Sequence, residues 1–300
     1  MEKKLLLLYN PRAGKSEVRG KLSEIVEVFV RGGYRVTVRP TLRAGELPEL
    51  LRENAGDYDL MVCCGGDGTL NEAVNGLMGC APRPVLGYIP AGTVNDFASS
   101  FGIPKDLEGA ARWIAGGKPA ACDVGHFEGE RYFAYVAAFG AFTDVPYETS
   151  QQVKNLLGRM AYFLEGMRLK HLTKYRPHAM TLRYDGGEMK GEYLVGMVTN
   201  ATSVGGHSFS PGRDVAMDDG VLEGTFIENP GNALELQQVI NALLSQNTLD
   251  CPFIHTFCTT KLTAVAEEAL PWTLDGEFGG SHREVHISCE KQALRIMAGE

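Results

Sequence analysis

The apolar run Leu60-Met61-Val62-Cys63-Cys64 passes without a spacer into Gly65-Gly66-Asp67-Gly68-Thr69, and a helical pattern follows from about Leu70 to Met78. A short apolar run that ends in glycines and opens a helix reads as a strand-to-helix turn, the place where α/β proteins bind ligands. Glycines lack Cβ atoms, so backbone N–H groups can approach an anion closely, and the helix directs its positive end at the same point. Asp67 does not suit direct contact with a phosphate, because two anions repel. It suits a Mg²⁺ ion that the phosphates carry. The competing reading is a turn shaped only by backbone geometry.

The chain around this turn repeats its design. Leu5 to Tyr9 reads as a strand, and Val18, Leu22, Ile25, Val26 and Phe29 have helical spacing that Gly32-Gly33 ends. A strand Tyr34 to Val38, a helix of about Leu47 to Glu53, the strand Leu60 to Cys64 and a strand Val85 to Ile89 continue the alternation. Strands joined by crossover helices predict a parallel sheet in an α/β domain over residues 1–122. Two more polar loops then fall on the sheet edge that holds Asp67. Asn10-Pro11-Arg12-Ala13-Gly14-Lys15 follows the first strand, and Pro90-Ala91-Gly92-Thr93-Val94-Asn95-Asp96 follows the last, with Thr93 offering a hydroxyl donor.

From about Asp123 the texture changes. Tyr132 to Val136, His178 to Tyr184, Tyr193 to Thr199 and Val285 to Ser288 alternate, which predicts an antiparallel, sandwich-like second domain over residues 123–290. A long helix of about Gln151 to Leu172 is inserted in it. Residues 151–183 carry Lys154, Arg159, Arg168, Lys170, Lys174, Arg176 and Arg183 against Glu165, seven minus one or +6. Leu156, Met160, Phe163, Leu164 and Met167 recur there at roughly helical spacing, so the segment can present an apolar face to lipid and cations to anionic head groups. Its other reading is a helix packed on its own domain with solvated charges.

The 300 residues give room for two domains, and 44% hydrophobic with 22% charged residues is the balance of a globular chain. A formal net charge of -8 repels nucleic acid, so no nucleic-acid partner is expected. Seven cysteines, with Cys63 and Cys64 adjacent, form neither a CxxC pair nor an even disulfide framework. Leu5 to Leu8 is too short an apolar run for a signal peptide or a membrane span, and no later window has eighteen apolar residues in succession. A cytoplasmic chain with peripheral membrane association is the expectation, and a homodimer is one assembly open to it.

Two familiar motifs fail on inspection. Gly14-Lys15-Ser16 resembles the end of a Walker A loop, but Tyr9 stands where that loop needs its first glycine. Asn71 likewise stands where the dinucleotide fingerprint needs its last glycine. His282 and His286 lie four apart on a strand, about 13 Å from each other, too far to share a metal. Asp218-Asp219-Gly220 is either an acidic turn or a cation site. Trp272-Thr273-Leu274-Asp275-Gly276-Glu277 is either a turn between strands or the source of a general base, Glu277.

Taken in order, Asn10 to Lys15, Gly65 to Glu72 (GGDGTLNE), Pro90 to Asp96 (PAGTVND) and Asp275-Gly276-Glu277 resemble the diacylglycerol kinase and sphingosine kinase superfamily, over essentially the whole chain. The resemblance implies an ATP-dependent lipid kinase of two domains, with an N-terminal α/β nucleotide domain and a β-sandwich-like lipid domain. It implies ATP held by positions matching Asn10, Thr41, Gly65, Gly66, Asp67, Gly68, Thr69, Asn71 and Thr93, beside which the loop after the first strand brings Arg12, Gly14 and Lys15. Glu277 falls on the family's catalytic carboxylate, and Asp219, with backbone oxygens of Ala216 and Val221, falls on its structural Mg²⁺ site. It also implies that residues 291–300 return to the first domain, with Ala293 to Met297 as a strand. The lipid substrate is then met at a membrane surface. A NAD kinase and a nucleotide-binding regulator without catalysis are the alternatives.

Overall fold

In the computed structural model, residues 2–13, 17–140, 176–204, 207–208, 215–245 and 248–299 are described. Gly14, Lys15, the helix expected at Gln151 to Leu172 and its basic cluster as far as Lys174 lie outside them. The apolar runs of the first third form β1 (Lys3–Tyr9), β2 (Tyr34–Pro40), β3 (Leu60–Gly65) and β4 (Val85–Pro90), all parallel and ordered β4-β3-β1-β2. β3 and β4 are buried along their whole length, as parallel strands covered on both faces must be. The cover comes from α1 (Glu17–Arg31) packed with α5 (Leu107–Gly116), and from α2 (Leu47–Asn54) packed with α3 (Asp67–Met78). Gly76 allows the second pair to close, since a Cβ there would lie 2.8 Å from Pro48 Cα. The short helix α4 (Asp96–Phe101) follows the β4 loop.

The remainder is largely antiparallel: β5 (Lys118–Phe127), β6 (Arg131–Phe133), β7 (Val136–Gly140), β8 (His178–Tyr184), β9 (Gly187–Thr199), the two-residue β10 (Ser203–Val204) and β11 (His207–Ser208), β12 (Leu222–Glu228), helix α6 (Ala233–Ser245), β13 (Ile254–Thr259), β14 (Lys261–Leu274) and β15 (Glu277–Ala298). Its inner face is aromatic. Phe139 packs on Trp272 with ring centres 4.9 Å apart and on Phe226 at 6.0 Å, within a cluster that includes Leu182, Val198 and Ile287.

Three local expectations change. The helix after the glycine turn starts at Asp67, because Gly66 is extended and accepts the N–H of Leu70 at 3.1 Å, so the first turn closes early. Tyr132 to Val136 is not one strand, because the N–H groups of Ala134, Tyr135 and Val136 turn to a side-chain carboxylate and leave a break between β6 and β7. Val285 to Ser288 and Ala293 to Met297 belong to one 22-residue strand, β15. Its first part pairs with β14; its last part pairs with β5 and places Ile296 opposite Leu86 of β4.

β15 can serve both regions because it bends. The register shifts between Glu290 and Leu294, and Gln292 takes φ +51. Asp123, fully buried at the middle of β5, fixes that bend by accepting the N–H of Gln292 at 2.6 Å and of Gly220 at 2.5 Å. Replacing Asp123 by Ala leaves the buried Gly220 N–H and the part-buried Gln292 N–H without their acceptor, and the expected loss is about 2–4 kcal/mol of stability. A urea midpoint unchanged from that of the parent chain would contradict this.

Candidate active site

The register of the parallel strands brings four loop starts to one edge. Tyr9 is opposite both Pro40 and Cys64, and Gly65 is opposite Pro90. Backbone bonds then tie the loops together: Asn10 N–H to Cys64 O at 3.0 Å, Thr41 N–H to Tyr9 O at 2.9 Å, and Ala91 N–H to Gly65 O at 2.7 Å. Asn10, Thr41, the Gly65 turn and the Thr93 loop therefore share the carboxyl edge of the sheet, where a topological crevice binds ligands. Arg12 is exposed, and its N–H is held by Asn10 Oδ1 at 2.9 Å in a local turn. Thr93 is exposed on its loop.

The two glycine loops touch. A Cβ on Gly92 would lie 2.7 Å from Gly66 Cα, so a side chain on either residue would push the loops apart. Thr69, one turn into α3, folds its side chain over Gly65, where a Cβ would collide with it. The loops are also joined through Asn95, a left-handed residue with φ +55 at the start of α4. Its Oδ1 accepts the N–H of Gly92 at 2.9 Å, and its own N–H donates to Asp67 Oδ2 at 3.0 Å. Asn95 and the buried Asp96 are site residues that motif reading placed in the loop without a role. The signal was present, since Asn is one of the few residues that tolerate a left-handed backbone.

Asp67 is mostly buried at the first turn of α3. Burial pushes its carboxyl up to about 6, and the nearby carboxylates of Asp96 and Asp275 add to the rise. Its Oδ1 is buried and has no hydrogen-bond partner. A buried carboxylate oxygen without a donor, beside a second acid, suits a cation better than a phosphate. These residues fit a divalent ion brought with a nucleotide.

Glu277 arrives from the far end of the chain. β14 and β15 are joined by Asp275-Gly276, both with positive φ (+51 and +87), the two-residue hairpin turn that Asp-Gly favours. Glu277 opens β15 and lays its carboxylate against the glycine turn, where a Cβ on Gly68 would lie 2.7 Å from Glu277 Oε1. Asp275 points inward and is 3% exposed. It accepts N–H groups from Ala134 at 2.7 Å, Tyr135 at 3.0 Å and Val136 at 3.0 Å, and the Asn71 amide at 2.8 Å. Burial outweighs these donors, and its carboxyl lies above its ordinary value. Motif reading saw two carboxylates around a glycine; the structure separates them into one buried anchor and one exposed acid.

Asn71 is likewise engaged within the protein. Its Nδ2 also donates to Tyr132 O at 3.1 Å, and its Oδ1 accepts from Asn75 at 3.3 Å. Asp219 stands apart on an exposed turn between Ala216 and Val221, its Oδ1 accepting the N–H of Val221 at 2.9 Å. Lys291 Nζ donates to Asp219 O at 3.0 Å. No group of three or more metal-binding side chains occurs among the described residues. His282 and His286 have separate partners, Gly279 O and Thr263 Oγ1.

A glycine-lined edge, a buried aspartate oxygen without a donor and an opposed glutamate are the groups that phosphoryl transfer calls for. Residues 4–127 match the diacylglycerol kinase catalytic domain, and residues 140–298 match the YegS C-terminal NAD kinase beta sandwich-like domain. A diacylglycerol kinase of Bacillus subtilis (strain 168) is 33% identical over 97% of both chains. One of Staphylococcus carnosus (strain TM300) is 32% identical over 93% of this chain and 90% of its own. A crystal structure of a diacylglycerol kinase from Bacillus anthracis str. Sterne superposes with a TM-score of 0.81 at 25% identity, covering 99% of this chain and 97% of that one. The chain belongs to the diacylglycerol kinase family. It is a lipid kinase, and no helix among the described residues is long and apolar enough to cross a membrane.

The burial of Asp67 has a consequence for stability. Its folded-state value lies above the unfolded one of about 3.8, so the folded chain is the more protonated state and loses stability as pH rises through about 4 to 6. Asp67→Asn removes that loss. Without nucleotide or divalent cation, the variant is expected to melt higher than the parent at pH 8, by about 2–3 kcal/mol of stability, and level with it near pH 4. Equal melting at both pH values would show that the carboxylate is not desolvated.

Proposed function

We propose that the chain transfers the γ-phosphoryl group of ATP to the hydroxyl of diacylglycerol or a closely related lipid alcohol, with Glu277 as the general base. The observation that carries this reading is the contact of Glu277 with Gly68, which sets a proton acceptor against the loop that would hold the phosphates. The first-turn N–H groups of α3 and the glycine backbone bind the phosphate oxygens, while Asn10, Thr41 and Thr93 line the rest of the nucleotide's edge. Asp67 would hold the Mg²⁺ that accompanies ATP, and that ion would supply neutralisation of the charge developing on the phosphates.

The acceptor hydroxyl enters between the glycine turn and the β14–β15 hairpin. Glu277 takes its proton as the acceptor oxygen bonds to γ-phosphorus and the bond to the bridging oxygen of ADP breaks. Catalysis is then mainly alignment and charge compensation. Because an acceptor with two acyl chains resides in a bilayer, the reaction takes place at a membrane surface, and the names of the relatives support diacylglycerol as its chemistry.

Labelled ATP is offered together with diacylglycerol in mixed phospholipid vesicles or with NAD in solution. Label is expected in the phosphorylated lipid and not in NADP. Glu277→Gln is expected to lower kcat by about 10²–10⁴-fold while ATP still binds. Labelled NADP, or a Glu277→Gln variant with normal turnover on lipid, would refute the assignment.

A further inference from the structure

The Asp-Gly turn that delivers Glu277 has an unusual interior. Two-residue hairpin turns of this type accept Asn as readily as Asp, since both tolerate a left-handed backbone. Such turns ordinarily face water, whereas Asp275 is 3% exposed and engages four N–H donors. An amide at this position would direct an NH₂ at groups that only donate, so what the site demands is an acceptor on both oxygens. Three donors belong to the break between β6 and β7. The fourth, Asn71 Nδ2, belongs to α3, three residues after Gly68 and four after Asp67.

We infer that Asn71 and Asp275 are positioning residues that fix the separation between the glycine turn and Glu277, and that Asn71 does not bind the nucleotide. The link connects the two sides of the reaction directly. Its α3 end lies one helical turn from the residue Glu277 touches, and its hairpin end lies two residues before Glu277 itself. Asn75 extends the same seam, donating to Tyr132 O at 2.9 Å and accepting the Tyr132 N–H at 2.9 Å. With Asn71 Nδ2 on Asp275 and Tyr132 O, and Oδ1 on Asn75, each polar atom of the Asn71 side chain has a partner within the protein. A displacement on the order of 1 Å between base and phosphate can cost about a hundredfold in rate without weakening nucleotide binding.

The inference rests on Glu277 acting as the base, and the tests keep the two apart. Asn71→Ala and Asp275→Asn, the second preserving the turn and the volume, are compared with the parent chain for direct ATP binding and for kcat per ATP-binding molecule at saturating acceptor. Both variants are expected to keep the ATP Kd within about twofold and to lose about 10- to 100-fold in kcat. The double variant is expected to be no slower than the slower single one, as for two members of one link. A purely architectural lesion would instead reduce the fraction that binds ATP and leave kcat per binding molecule unchanged, which would overturn the inference. So would an ATP Kd raised tenfold or more by Asn71→Ala with kcat preserved, which would make Asn71 a nucleotide ligand. A Glu277→Gln variant with normal turnover would instead show that the base itself is wrongly assigned.

Discussion

β15 is hydrogen-bonded to both halves of the molecule, and the active site depends on that single strand. Its first residue, Glu277, meets the glycine turn, and its last residues lie beside β4 and β5. A strand of ordinary length could not do this. The extension is possible because Asp123 captures the bend at Gln292, accepting its N–H where the ladder shifts register. Glu277 is therefore carried on a strand whose other end is anchored beside β4 and β5.

The site is built from acids and glycines, a combination that is unstable without its ligand. Burial and the nearby carboxylates of Asp96 and Asp275 raise the cost of ionising Asp67, which retains a buried oxygen without a donor. A phosphate alone would add to the repulsion; a phosphate that carries a divalent cation relieves it. The same charge pattern that lowers stability would thus favour a metal–nucleotide complex over a bare phosphate, as the proposed function requires. The glycine pair Gly66 and Gly92 supplies the other constraint, since only bare backbone allows these two loops to close upon each other.

What the sequence revealed depended on how locally each feature is encoded. The strand-turn-helix around Gly65 is written in contiguous residues, so its place was legible, although α3 begins three residues before the apolar period starts because Gly66 alone closes its first turn. The break between β6 and β7 was not legible, because Tyr132 to Val136 alternates like a strand and the carboxylate that bends it lies about 140 residues away. Asp275 was read as half of an acidic pair for the same reason: its partner Asn71 is 204 residues distant. Motif order already singles out Glu277 as the acid that belongs with the glycine turn; what it does not show is that Asp275 is buried on four N–H donors.

The most direct measurement is a crystal structure with a non-hydrolysable ATP analogue and Mg²⁺. The account predicts the γ-phosphate seated on the first turn of α3 beside Gly66 and Gly92, Asp67 Oδ1 directed at the metal, and Glu277 facing the open side of the γ-phosphorus. Phosphates seated away from the glycine turn, or a γ-phosphorus shielded from Glu277 by the protein, would contradict it.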